Sequence, residues 1–377
     1  MKWFVIIFSM LLTFGSFAQS GKHPADIMYA GTSPGNNSKG IYVLHFDRNT
    51  QKLTELSTVN EKRNPNFLAL HPNRKYLYAI YSEGMSNDDK RGTVMSFTID
   101  PATGFLKKLN EQSTEGRGPA HVSVDPKGRF VYVANYGEGN FAIYRIGNDG
   151  KLSPSQQVVQ FEGGSGVDTA RQMHPYIHSV IPSADGKFIY ASSLGSDKIF
   201  IYQVKDAGDF TPAISPFASS TPGSGPRHFI IHPNGRFAYS VEEMSSSVAS
   251  YTRDRNTGAL TPLERFLPVP GAFTSRTSGA DIHFSPDAKF LYASIRGLNN
   301  IAIYSVNSKN GKLTFIGLED GRGDHPRNFC VDKKGEYVFV ENMRSNNIAV
   351  FKRDKKSGKM EFIRQEMIPG VACLIQW

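Results

Sequence analysis

One short phrase, two aromatic or large apolar residues flanking a third, recurs along the chain and restricts its fold more than any other feature. It reads Tyr76-Leu77-Tyr78, Phe130-Val131-Tyr132, Phe188-Ile189-Tyr190, Phe237-Ala238-Tyr239, Phe290-Leu291-Tyr292 and Tyr337-Val338-Phe339. Between the last residues of successive copies the spacings are 54, 58, 49, 53 and 47, and a further copy, Ile27-Met28-Tyr29, lies 49 residues before Tyr78. Most copies follow a polar turn, such as His71-Pro72-Asn73, Asp125-Pro126-Lys127-Gly128 or His232-Pro233-Asn234-Gly235. In the clearest unit, Gly225 to Thr261, four runs with period-two patterning are separated by Pro, Gly, Asn and Ser turns. That pattern predicts an antiparallel meander. A lone four-stranded sheet cannot bury either of its apolar faces, so it needs neighbours. Self-similarity at about 50 residues with four strands per unit predicts an all-β, seven-bladed β-propeller.

The two ends of the repeat are incomplete in complementary ways. The chain enters at Asp26 with second-, third- and fourth-strand signals but no first strand. After the last unit it adds Gly370 to Trp377, which reads as one more first strand. The C-terminal strand is therefore expected to complete the N-terminal blade and leave no open edge.

At 377 residues the chain is long enough for two domains. The unbroken repeat instead predicts a single propeller domain over residues 19–377. Ahead of it, Lys2, the apolar run Trp3 to Phe14 and the small-residue pattern Ser16-Phe17-Ala18 predict a signal peptide, residues 1–18, cleaved before Gln19. The expectation is an exported protein, periplasmic or extracellular, with no membrane span. Cys330 and Cys373 are the only cysteines. They fall in different first strands; an oxidising compartment allows a disulfide, but two buried free thiols are expected, with no metal-ligand spacing. The formal charge of +9 is spread over loops and turns rather than gathered in a stripe. It suits anionic small molecules better than nucleic acid.

Meander geometry says where chemistry can gather. The start of each first strand and the end of each second strand meet at the same rim, and the turn between them lies at the opposite rim. The first group supplies Asn66, His121, His178, Arg227, His228, Asp281, His283, Arg327 and Asn328, and the second supplies Asn135, Tyr136, Ser193, Glu242, Glu243, Arg296, Glu341 and Asn342. Ionisable side chains converging on one mouth of a channel mark a candidate site. Glu242 and Glu243 alternate in direction, so one of them faces the channel. Arg227, Arg296 and Arg327 either neutralise carboxylates or bind an anion, and three at one mouth favour the anion. His121 and His283 have a plainer reading as hydrogen-bonding links between blades. Gly163-Gly164-Ser165-Gly166-Val167 lacks the last glycine of a nucleophile elbow. No phosphate-binding loop, His-Glu-x-x-His or Cys-x-x-Cys motif occurs. Catalysis, if present, is expected from positioned His, Glu and Arg side chains without cofactor, metal or covalent intermediate.

At these rim residues the chain resembles the seven-bladed propeller lactonases, the family of 6-phosphogluconolactonase and fungal carboxy-muconate cycloisomerase. The likeness runs from Ile27 to Trp377. It is carried by Gly118-Pro119-Ala120-His121, Val133-Ala134-Asn135-Tyr136-Gly137, Ile177-His178-Ser179, Gly225-Pro226-Arg227-His228, Glu243, Ile295-Arg296-Gly297 and His325-Pro326-Arg327-Asn328. The resemblance implies His178, Arg227, Glu243 and Arg296 as catalytic residues. Around them it implies His121, Asn135, Tyr136, His228, Asp281, His283, Arg327 and Asn328 as substrate-binding residues. Tyr176 stands where relatives usually carry histidine, and Ser193-Leu194-Gly195 where they often read Asp-Leu-Gly. Both departures lie in the unit with the longest spacing, whose extra loop is Glu162 to Met173. The implied activity is hydrolysis of a sugar-acid lactone, with His178 or Glu243 as general base. A cycloisomerase using the same groups, or a non-catalytic binding propeller, are the alternatives.

Overall fold

Every copy of the repeated phrase forms the second strand of a four-stranded antiparallel sheet, and seven such sheets close into a ring. A computed structural model describes residues 26–33, 37–60, 63, 65–83, 89–205 and 209–377. The expected signal segment, residues 1–18, lies outside them. Blades 2 to 7 are consecutive in sequence, with first strands Pro65–Leu70, Pro119–Val124, Ile177–Pro182, Pro226–Ile231, Ser278–Phe284 and Pro326–Val331. Blade 1 joins the two ends of the chain. Val371–Gln376 pairs antiparallel with Ile27–Thr32, which continues into Gly40–Asp47 and Lys52–Asn60. The predicted closure is therefore observed. Cys330 and Cys373 are both free.

The repeat is legible because it ties neighbouring blades. In five blades the tyrosine that ends the phrase donates its hydroxyl to a glycine carbonyl in the outer turn of the next blade. The pairs are Tyr29 to Gly104 at 2.7 Å, Tyr78 to Gly150 at 3.2 Å, and Tyr190 to Gly258, Tyr239 to Gly311 and Tyr292 to Gly358 at 2.8 Å each. A buried tyrosine hydroxyl needs such a partner. The glycine is required twice over. At Gly311 φ is +75°, and a Cβ there would stand 2.3 Å from the ring of Phe237, the first aromatic of the phrase. The apolar faces meet between blades, as where Phe237, Tyr239 and Val241 pack on Ile282, Leu291 and Tyr304.

Between first and second strands the pairing skips a single residue at the same place in five blades. The unpaired residues are Asn66, Ala120, His178, Arg227 and Arg327. Blade 1 skips Ala372 likewise, and blade 6 skips Ala280 and Asp281. Such β-bulges bend the strand and re-aim a side chain. In blades 2, 3, 4 and 7 they turn that residue toward the same rim.

Candidate active site

At that rim opens a cleft of about 300 Å³, bounded by Asn66, Tyr136, His178, Glu243, Arg296 and Arg327. Three of these six are bulge residues. A larger cavity, about 700 Å³, lies at the opposite rim against Arg74, Tyr76, Lys333 and Trp377. Its charges come from ordinary turns and include no histidine, so size alone does not make it the site.

Glu243 follows the second strand Phe237–Glu242 of blade 5 and is the cleft's carboxylate. Its Oε2 accepts from Arg227 Nε at 3.1 Å and pairs with Arg296 Nη2 at 3.0 Å, while Oε1 accepts from Arg171 Nη2 at 2.7 Å. Burial works to raise its pKa, but Arg296, Arg227 and Arg171 outweigh burial and hold the carboxyl down to about 2. Glu242 points the other way, to Ser224, Ser247 and Arg265.

Positive charge exceeds negative here. Arg227 is 1% exposed; its Nη1 donates to the Ala280 carbonyl and lies 3.4 Å from His228 Nε2. It stands behind Glu243, outside the cleft wall, and fixes the carboxylate. Arg296 donates to the Gly279 carbonyl at 2.9 Å, leaving its buried Nε without a partner. Arg327 lines the cleft and makes no hydrogen bond or ion pair with another described residue. Burial, then the neighbouring guanidiniums, weaken the hold of Arg227 and Arg327 on their protons. Arginine stays charged in proteins all the same, so the imbalance persists as positive potential at the cleft.

His178 lines the cleft edge-on to Tyr136, with ring centroids 5.4 Å apart. Burial, then Arg227 and His228, push its pKa well below the usual histidine range, so the ring is neutral. Its Nδ1 is buried without a hydrogen-bond partner. The tautomer that leaves no buried N–H unpaired carries its proton on Nε2.

A second set of expected residues lies behind this wall. Asp281 is a buried hub, accepting from His228 Nδ1 at 2.6 Å, His283 Nε2 at 2.8 Å, the Phe329 backbone N–H at 3.2 Å and the Asn328 side-chain amide. His228, with a pKa brought down to about 4 by burial and Arg227, is neutral and donates through Nδ1. His121 packs against the ring of His228 at 5.5 Å. None of His121, His228, Asp281, His283 and Asn328 bounds the cleft. Asn135 corrects the sequence expectation most clearly. It is fully buried, with Nδ2 donating to the Thr114 carbonyl and to Asn140 Oδ1, and it pins an outer loop to its blade. Glu341, at the end of a second strand, has neither oxygen hydrogen-bonded, and burial raises its pKa well above the carboxylate range.

Sequence reading missed Arg171. It sits in the extra loop after blade 3, and besides Glu243 it touches Tyr136 Oη at 3.4 Å. Tyr176, stacked on Tyr136 at 4.7 Å, extends the wall under that loop. The only signals available were the long spacing and a basic residue within it.

Residues 27–377 match the family described as "Lactonase, 7-bladed beta-propeller". A 6-phosphogluconolactonase of Formosa agariphila is 37% identical over 313 residues, covering 81% of this chain and 86% of the relative. The 6-phosphogluconolactonase of Bacillus subtilis is 32% identical over 317 residues, covering 84% and 88%. Among solved structures, a periplasmic gluconolactonase of Pseudomonas aeruginosa superposes with a TM-score of 0.88 at 30% identity, covering 93% of this chain and 98% of its own.

Proposed function

The chain belongs to the seven-bladed β-propeller lactonases, and we propose that it hydrolyses a sugar-acid lactone at the mouth bounded by His178, Glu243, Arg296 and Arg327. The observation that carries this reading is the excess of guanidinium over carboxylate at a cleft that also holds a neutral histidine. In lactone opening, water adds to the acyl carbon, negative charge develops on the carbonyl oxygen, and the ring C–O bond then breaks. Arg296 and Arg327 meet the developing oxyanion. Glu243 takes a proton from the attacking water and returns it to the departing ring oxygen, giving the hydroxy acid. His178 holds the departing oxygen through Nε2–H. A histidine acting as base at Nε2 keeps an acceptor on its Nδ1–H, and His178 has none. That supports His178 as the donor and Glu243 as the base in this reading. A lactone is an activated ester, so this help suffices without a covalent nucleophile.

Acid release from sugar lactones, followed with a pH indicator and corrected for spontaneous opening, tests the reading. The protein should accelerate opening with saturation, and His178→Asn should lose roughly 10- to 100-fold in kcat, the worth of one hydrogen bond to a group gaining charge. Absence of saturable acceleration on any sugar lactone would leave a cycloisomerase or a binding propeller, and lactone formation from a muconate-type acid would separate those two.

Export fits the same reading, since the Pseudomonas aeruginosa relative is described as periplasmic. Protein recovered from its host should begin at or near Gln19. An intact Met1 on that material would contradict export.

A further inference from the structure

The loop that delivers Arg171 is built to hold it in place. Gln172 is fully buried, with Nε2 donating to the Leu194 carbonyl at 3.0 Å and Asp197 Oδ1 at 2.8 Å. Two glycines admit the fold-back. A Cβ on Gly164 would stand 1.9 Å from the Gln172 carbonyl oxygen, and one on Gly195 would stand 1.6 Å from that of His174. Within the Gly163–Gly166 run only Gly164 is fixed by close packing; Gly163 and Gly166 have φ of +67° and +69° and open space where a Cβ would stand.

Arg171 itself differs from the other arginines around Glu243. Its side chain is 30% exposed, against 2% for Arg227 and 8% for Arg296. It holds Glu243 through Nη2 alone, and its Nε and Nη1 bond no other described residue. Arg227 and Arg296 are also fastened to backbone carbonyls, whereas the guanidinium of Arg171 bonds only Glu243 and Tyr136 among the described residues, and its neighbour Gln172 is anchored. A ligand anion entering beside Tyr136 competes with Glu243 Oε1 for a single charge-assisted bond.

We propose that Arg171 is the specificity-determining residue of this site: it recognises a carboxylate or phosphate carried by the lactone, and in turning to that group it uncovers Oε1 of Glu243 for proton transfer. The inference rests on the lactonase reading and deepens it. In the resting site Glu243 serves three guanidiniums; with an anionic lactone bound it serves two, both on Oε2. A lactone without an anionic group leaves Oε1 covered, so the substrate's own charge switches on the base.

The test compares glucono-δ-lactone (neutral), 6-phosphoglucono-δ-lactone (phosphate) and a glucaric acid monolactone (carboxylate), using wild type, Arg171→Gln and Arg171→Lys. Wild type should prefer at least one anionic lactone over the neutral one in kcat/KM. In Arg171→Gln that preference should fall about 10- to 100-fold, the discrimination one charge-assisted bond gives, and Arg171→Lys should restore part of it. Which anionic lactone carries the preference tells phosphate from carboxylate. A preference that survives within 2- to 3-fold (roughly 0.5 kcal/mol) in Arg171→Gln, or a wild type favouring the neutral lactone, overturns the proposal. A wild type that opens none of the three overturns the lactonase reading, and this proposal with it.

Discussion

Replacing Glu243 by glutamine is expected to damage stability and turnover together, by separable amounts. The carboxylate is the shared counter-charge of Arg171, Arg227 and Arg296. Arg171 can turn toward water, but Arg227 and Arg296 are almost wholly buried and cannot. Removing one partner of a buried pair costs about 3–5 kcal/mol, because the remaining charge is left uncompensated. In a protein of this size the corresponding fall in Tm is roughly 4–7 °C. The dependence on pH follows from the depressed carboxyl. Its folded pKa, about 2, lies below the usual glutamate value of 4.5, so the stabilisation is fully present above pH 4.5 and is lost as pH falls toward 2. The Tm gap between wild type and Glu243→Gln should therefore narrow on acidification through that window. Turnover should fall about 10²- to 10⁴-fold, with a smaller change in KM, because the base acts in the transition state. Equal melting curves at pH 7 would contradict the counter-charge role. Normal kcat in a folded variant would contradict the base.

Deleting Gly370 to Trp377 is expected to abolish the folded ring. The deletion removes the whole first strand of blade 1, including Val371, Ala372, Cys373 and Leu374, each no more than 2% exposed. Burying each of the larger apolar side chains contributes about 1.5–3 kcal/mol. The ladder to Ile27–Thr32 goes as well and leaves a bare edge. Asn328 loses the Leu374 backbone N–H that fixes its amide, so the damage reaches the Asp281 hub. Together these losses match or exceed a typical net stability of about 5–15 kcal/mol. Size-exclusion chromatography and near-ultraviolet circular dichroism should show an aggregated or loosely packed chain. A truncated protein melting like wild type would contradict closure through the C-terminal strand.

The architecture was legible in the sequence because five blades repeat the same tie, a tyrosine hydroxyl held by a glycine turn of the next blade. The alternation of Glu242 and Glu243 was legible for the same reason, as period two at a strand end. Membership of the cleft was harder to read. Strand ends alone placed Asn135 beside Tyr136, yet Asn135 still pairs across to Pro119 and turns into its blade. Tyr136, one residue later, has left the ladder and faces the cleft. Bulges sort most of the first-strand residues, with Arg227, unpaired yet behind Glu243, as the exception. His178 and Arg327 are unpaired residues and reach the cleft, whereas His228 and Asn328, one position further, are paired and lie behind it. A bulge has no strong signature in residue type. Arg171 was illegible for a different reason: Gln172 folds its loop back through contacts with Leu194 and Asp197, more than 20 residues away.

Lactone opening at this one mouth is tested most directly by the rate of acid release by wild type, Arg227→Lys, Glu243→Gln and His178→Asn. Arg227→Lys keeps the charge but loses the planar fork that reaches both Glu243 and the Ala280 carbonyl. With melting curves establishing that each variant is folded, and spontaneous opening subtracted, wild type should show saturable turnover and all three variants should fall at least about 10-fold below it. Full lactone hydrolysis retained by all three would contradict catalysis at this mouth.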